Sequence, residues 1–291
     1  MTTTTATLPP TRRPSVAARA WRFAKRHALT VYALLIVGYL LLPIFVVILF
    51  SFNAPKGRFN YVWQGFTLDN WAHWDAVLGI RSAIVTSIEV GILATVVATV
   101  LGTLIALAIV RHRFAGRGAT NLLVFLPLST PEIVLGASLL TLFLVLRDAK
   151  VIQLGFWTIF IAHVMFIASF VVITVKARLI GFDRHLEEAA MDLGANEWTT
   201  FRKITLPLLA PAMLAAALLG FALSIDDFVI TYFVAGPTQT FPVFVWGIAR
   251  VAVPPQVNVV ASAFFLIAIA IGVGNVLWQY RIARHQRQGA A

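Results

Sequence analysis

The chain has 291 residues, of which 59% are hydrophobic and only 12% charged. A soluble domain carries about a quarter charged residues, so a compact water-soluble fold is excluded and lipid is the solvent for much of this surface. There is no cysteine, which excludes disulfides, thiolate metal sites and cysteine nucleophiles.

A membrane-spanning helix needs about 20 mainly apolar residues. Six such runs are predicted, at roughly 30–51, 82–110, 119–146, 152–175, 208–236 and 258–279. The fold class is therefore all-α and polytopic. Residues 1–26 read as a disordered, basic N-terminus, 27–280 as one transmembrane domain and 281–291 as a tail. Arg12, Arg13, Arg19, Arg22, Lys25 and Arg26 precede the first span, as in a signal peptide. Its apolar run is too long for one, however, and SFNAPKG beyond it has no small-x-small cleavage site, so it reads as a retained anchor. The loop at 52–81 holds Phe59, Tyr61, Trp63, Phe66, Trp71 and Trp74. Interfacial anchoring accounts for such rings, with docking of an external partner as the second reading.

The formal net charge of +11 is a matter of topology. Basic residues concentrate before the first span, at Arg111, Arg113 and Arg117, at Lys176, Arg178, Arg184, Arg202 and Lys203, and at Arg281, Arg284 and Arg287. Only Lys56, Arg58, Arg81, Arg147, Lys150 and Arg250 fall in the alternate loops. The positive-inside rule puts both termini and the 176–207 segment in the cytoplasm. No nucleic-acid partner is needed to explain the charge.

Between the fourth and fifth spans lies EEAAMDLGANEWTTFRKITLP (187–207). Phe182, Leu186, Ala189, Ala190 and Leu193 fall on one face of a short helix. Asp183 can cap its start, and Gly194 can end it in a left-handed conformation. Asn196 can cap a second short helix, with Glu197 in its first turn and Arg202 and Lys203 in its last, as the helix dipole favours. Pro207 suits the first turn of the fifth span. The segment reads as a helix–turn–helix beneath the membrane.

E-A-A, three residues, G, nine residues, I-x-L-P is a pattern this stretch keeps in full, at Glu188, Ala189, Ala190, Gly194, Ile204, Leu206 and Pro207. It resembles the signature of permease subunits of ABC importers. The resemblance implies that residues 183–207, Glu187 included, couple to a separate ATPase dimer. It also implies a second homologous permease and an external substrate-binding protein as partners. A P-loop requires Gly-Lys-Ser/Thr, and none of the five lysines follows a glycine. No H-E-x-x-H or G-x-S-x-G is present either. The chain is thus expected to be no enzyme and to hold no cofactor or metal, with ATP and Mg bound by the partner.

Ionisable groups at membrane depth are functional candidates. Glu89, Glu132, Asp226 and Asp227 lie in the predicted spans with His163 and no basic partner; a lumen lined by them favours cations. Glu132 is expected near the middle of the third span, where Pro131 loosens the helix. Adjacent helical residues point about 100° apart, so Asp226 and Asp227 cannot both face one site; which of them faces the lumen stays open. His163 reads as a satisfied interior side chain, and Glu89 as a neutral or interfacial residue. The pathway set is Glu132, Asp226, Asp227 and Tyr232. SIDDFVITYFVAGP (224–237), PVFVWGIARVAVPPQVN (242–258) and LPLSTPEIV (126–134) resemble the second permease of spermidine/putrescine importers, the PotC/PotI type. That implies polyamine uptake by alternating access. The alternatives are the same importer class acting on ferric iron, thiamine, sulfate or phosphonate, or an ion-coupled secondary carrier working alone.

Overall fold

The computed structural model describes residues 16–288, with side chains from 27 to 274 and at Leu277. Twelve helices follow in order: α1 (Val16–Ser51), α2 (Asp69–Ala72), α3 (Ile80–Arg111), α4 (Arg117–Ser129), α5 (Glu132–Asp148), α6 (Phe156–Ile180), α7 (His185–Asp192), α8 (Glu197–Thr200), α9 (Leu206–Asp226), α10 (Val229–Val234), α11 (Phe241–Ile248) and α12 (Pro255–Gln288). The described residues form no strand, only an isolated bridge between Asn53 and Phe66. The all-α expectation holds.

The domain boundaries differ from the expected ones. Residues 16–26 are the first turns of α1 rather than a disordered tail, and 281–288 continue α12. Residues 1–15 and 289–291 of the predicted tails lie outside the described residues. The expected single transmembrane domain divides into two compact units, one holding α1, α2 and α12, the other α3 to α11.

In the first unit α1 packs along α12. Leu34, Leu35, Tyr39, Leu40 and Phe45 of α1 are all exposed, as expected of a helix apolar on every side and solvated by lipid. Beyond α1 the aromatic loop is a built structure. Buried Asn53 donates to Asn60 Oδ1 (2.6 Å) and the Val62 carbonyl (2.8 Å), and accepts the Gln64 N–H (2.7 Å). Asn70 donates to the carbonyls of Ser51 (3.0 Å) and Asn53 (2.8 Å). Phe52 stacks on both Phe66 and Trp71.

In the second unit α3, α6 and α9 pack against one another. α6 carries no polar stripe and is the most buried of the spans. Ile109 of α3 clusters with Val175 and Leu179 of α6, whereas Val90 of α3 clusters with Ile159 and Ala162. The two helices are therefore parallel. Leu209 of α9 joins the first cluster and Ser224 reaches α6 near Ala162, so α9 is antiparallel to both.

This geometry resolves the third predicted span, which is not one continuous helix. α4 and α5 meet at 113° across Thr130 and Pro131. A residue before proline is driven out of the helical region by the ring, and Thr130 is extended (φ −86°, ψ 132°). Because α3 and α6 are parallel, the chain must travel the full length of the bundle between the end of one and the start of the other. The α4–α5 pair is thus a broken crossing rather than a loop that returns to its own side, which brings the candidate crossings among the described residues to six. Lys176 of α6 anchors α4 through Asn121 Oδ1 (2.7 Å).

Small residues allow the helices to approach closely, as is usual in lipid. A Cβ on Gly102 of α3 would stand 2.7 Å from Val171 Cβ and 3.0 Å from the Ala168 carbonyl oxygen of α6. Neither atom can move without shifting its helix. Gly102→Val is expected to destabilise the bundle by about 1–3 kcal/mol or more, the usual overpacking cost, read as a lower thermal midpoint in detergent.

Candidate functional site

At one end of the second unit the chain forms the elbow predicted beneath the membrane. Asp183 Oδ1 accepts the His185 backbone N–H (3.0 Å) and contacts the His185 ring Nδ1 (2.7 Å). These bonds hold the Asp183 carboxyl below the usual carboxylate range and raise the pKa of His185. α7 ends where expected: Gly194 adopts φ +87°, and the Ala195 N–H returns to the Ala190 carbonyl (3.0 Å). Asn196 Oδ1 accepts the Thr199 N–H (2.8 Å), capping α8 as predicted.

Two features depart from the sequence reading. The second short helix is not separate from the fifth span. A π-helical turn, Phe201–Thr205, joins α8 to α9, and Glu197–Asp226 runs as one span of 30 residues. The Leu206 N–H bonds the Phe201 carbonyl in the wide turn. Such a turn absorbs the irregularity that Pro207, which has no N–H and crowds the preceding turn, would otherwise impose. Pro207 thus sits just past a wide turn inside a continuous rod.

The second departure concerns Glu187. Its carboxylate does not face outward. Arg111, the last residue of α3, donates both terminal nitrogens to it, with Nη2–Oε1 at 2.8 Å, and the Thr205 hydroxyl donates to Oε1 as well. The side chains of the ion pair are 18% and 13% exposed. Arg111 also lies over the Phe182 ring, 5.2 Å from its centroid. Glu187 is therefore the internal tie joining α3, α7 and the π turn. Glu188 and Ala189 remain exposed, together with Leu186, Leu193 and Trp198. The exposed surface combines these apolar side chains with the carboxylates of Glu188, Asp192 and Glu197, a composition suited to an interaction face. Ala190, Ile204 and Leu206 are half-buried.

At the opposite end, the fifth predicted span stops at Asp226 rather than running to 236. Asp227 is extended (φ −63°, ψ 118°) and α10 begins two residues later. Asp227 caps α10, accepting the N–H groups of Ile230 (3.3 Å) and Thr231 (2.8 Å) and the Thr231 hydroxyl (2.7 Å). Its side chain is 6% exposed, with His163 Nε2 at 3.3 Å. With three hydrogen-bond donors on a side chain this buried, Asp227 serves as the cap of α10, in contrast to its exposed neighbour Asp226.

Asp226 and Tyr232 are exposed, and so is Glu132. Glu132 lies at the break, as the first residue of α5, not in the middle of a helix. Glu89 is exposed on α3. Tyr232 packs on Phe228 (5.4 Å), and Phe228 on Trp246 of α11 (5.2 Å), while Arg250 covers one face of Trp246. No cluster of metal-ligating side chains exists among the described residues. The sequence reading overlooked Arg111 as a structural partner, counting it only as topological charge. It also missed Ser224 and Thr231 as partners of His163.

Comparison with known proteins decides what kind of molecule carries these two ends. Residues 98–288 match the family described as binding-protein-dependent transport system inner membrane components. The chain belongs to that family. The permease is 38% identical over 259 residues to the spermidine/putrescine transport system permease protein PotC of Escherichia coli strain K12, covering 87% of this chain and 93% of that one. It is 37% identical over 262 residues to the putrescine transport system permease protein PotI of the same strain, covering 88% and 91%. Its fold is shared with a bacterial ABC transporter involved in the import of the acidic polysaccharide alginate. There the TM-score is 0.64 at 18% identity, over 87% of this permease and 95% of that chain.

Proposed function

We propose that this permease is one membrane subunit of an ATP-driven importer of polyamines, spermidine or putrescine, working by alternating access. The observation that carries this reading is its similarity, over nearly its whole length, to two permeases named for those cations. ATP and Mg are bound by a separate ATPase dimer. A second homologous permease completes the pathway, and an external binding protein delivers the substrate. Six crossings put both termini on one side, and the basic residues assign that side to the cytoplasm.

The geometry supports each part. Closure of the ATPase pushes on the Glu188 face, and the continuous 197–226 helix carries the displacement through the membrane as a rod. Glu132 and Asp226 are exposed carboxylates with no hydrogen-bond or ion-pair partner among the described residues. Hydrocarbon does not tolerate such groups, so they face water or another subunit. A pathway lined by such carboxylates and the exposed ring of Tyr232 would suit ammonium groups and repel sulfate or phosphonate.

The test is reconstitution of the permease with its ATPase, partner permease and binding protein in vesicles, using labelled spermidine and putrescine. ATP-dependent accumulation saturable by either is expected. Accumulation of thiamine or ferric iron instead, with no polyamine uptake, would leave the importer assignment standing and overturn the substrate.

A further inference from the structure

We infer that His163 is a positioning residue of the substrate pathway: it pins the last turn of α9 and the first turn of α10 to α6, and so sets where Asp226 and Tyr232 stand. The inference rests on the reading that those two residues line the pathway.

The break between α9 and α10 creates a physical problem. Helix ends leave N–H and C=O groups without partners, and lipid offers no water to satisfy them. α10 has six residues, far too few to hold helical form alone. Its position comes from apolar packing, chiefly of Ile230 and Val234 against Leu139 and Phe143 of α5, and from tethers to α6. α6 supplies one for each end: the Thr158 hydroxyl donates to the Val234 carbonyl (2.7 Å) at the last turn, and His163 holds the first.

His163 is 2% exposed and uses both ring nitrogens. Nδ1 meets Ser224 Oγ of α9 at 2.7 Å, and Nε2 meets Thr231 Oγ1 of α10 at 2.9 Å. Proton accounting settles one nitrogen. The single Thr231 hydroxyl proton goes to Asp227 Oδ2 (2.7 Å), so Thr231 must accept from His163, and Nε2 carries hydrogen. Nδ1 then accepts the Ser224 hydroxyl in the neutral ring. One imidazole thereby grips both sides of the break, and Thr231 passes its orientation to the Asp227 cap. Asp226 and Tyr232 sit on the two elements so fixed, and their separation depends on the pin.

A histidine that merely filled space would be replaced well by an apolar ring. His163→Phe keeps an aromatic volume but no bond, whereas His163→Gln keeps an N–H donor near the Nε2 position. Ser224→Ala removes only the Nδ1 contact. In the reconstituted complex the ratio of spermidine to putrescine uptake is expected to shift at least threefold in His163→Phe and to return towards wild type in His163→Gln. This ratio is unaffected by how many molecules fold. Amide exchange of the 228–234 peptide in the purified complex should quicken at least tenfold, with 206–220 unchanged.

Faster exchange with an unaltered ratio would overturn the positioning role, and wild-type exchange in His163→Phe would overturn the pin itself. If His163→Phe does not assemble, Ser224→Ala carries the uptake ratio and Thr231→Val, which removes the Nε2 contact to α10, carries the exchange of 228–234, with the same outcomes. If the wild type takes up no polyamine, the substrate reading fails while the exchange experiment still decides whether the pin exists.

Discussion

Charge reversal at two neighbouring residues, Glu187→Arg and Glu188→Arg, will produce opposite failures. Glu188 is exposed on the outward face of the elbow. Its reversal should leave a folded, membrane-inserted permease with an unchanged thermal midpoint. Truncating one partner of a charge pair desolvated at an interface costs about 2–5 kcal/mol, and each 1.4 kcal/mol is about tenfold in affinity. ATP-driven uptake by Glu188→Arg should therefore fall by about thirty- to four-thousandfold for loss of ATPase docking alone.

Glu187→Arg acts elsewhere. It sets a second guanidinium against Arg111 at the junction of α3, α7 and the π turn, in surroundings where both side chains are mostly buried. Removing one partner from a buried pair costs roughly 3–5 kcal/mol. The expected result is a lower thermal midpoint and less protein in the membrane. The double variant Arg111→Glu, Glu187→Arg should recover stability by restoring opposite charges. Equal stability of Glu187→Arg and wild type in detergent would remove the tie; normal uptake by Glu188→Arg would remove the docking face.

These two glutamates also show what one sequence discloses. Features decided within a few residues were readable in advance. Gly194 has no Cβ to obstruct φ +87°, and Asn196 needs only its own next turn to cap α8. Pro131 marked the weak point of the third span, but the 113° angle depends on the helices that α4 and α5 pack against. The inward ion pair of Glu187 was hidden because its partner, Arg111, stands 76 positions earlier. A similar distance hid the fate of Asp227. Helical geometry says that neighbouring aspartates diverge, yet His163 and Thr231 decide which one turns inward. The continuity of α8 with α9 was concealed because Pro207 ordinarily signals a helix start, and a π turn before it is not a local preference that sequence displays.

The aspartates should separate in the same manner as the glutamates, and more sharply. Asp226→Asn leaves every cap bond of α10 intact, so folded protein should be obtained in wild-type amounts. What it removes is an exposed carboxylate beside the path proposed for the cation. A hydrogen bond to a charged group is worth about 1.5–3 kcal/mol, so spermidine uptake per folded molecule should fall about ten- to a hundredfold. Asp227→Asn does the reverse. The amide nitrogen cannot accept, and one of the backbone N–H groups of Ile230 and Thr231 or the Thr231 hydroxyl loses its partner at a site 6% exposed. A buried donor left unsatisfied costs about 1–3 kcal/mol, and water cannot relieve it in the membrane. The yield and thermal midpoint of Asp227→Asn should drop, while the molecules that do fold still present Asp226 and retain measurable uptake. Measuring uptake against the amount of folded permease in the same vesicles separates the two effects. Should Asp227→Asn fold normally and lose transport while Asp226→Asn transports normally, the roles drawn from the hydrogen bonds are reversed, and the cation passes along the face of α10 rather than the end of α9.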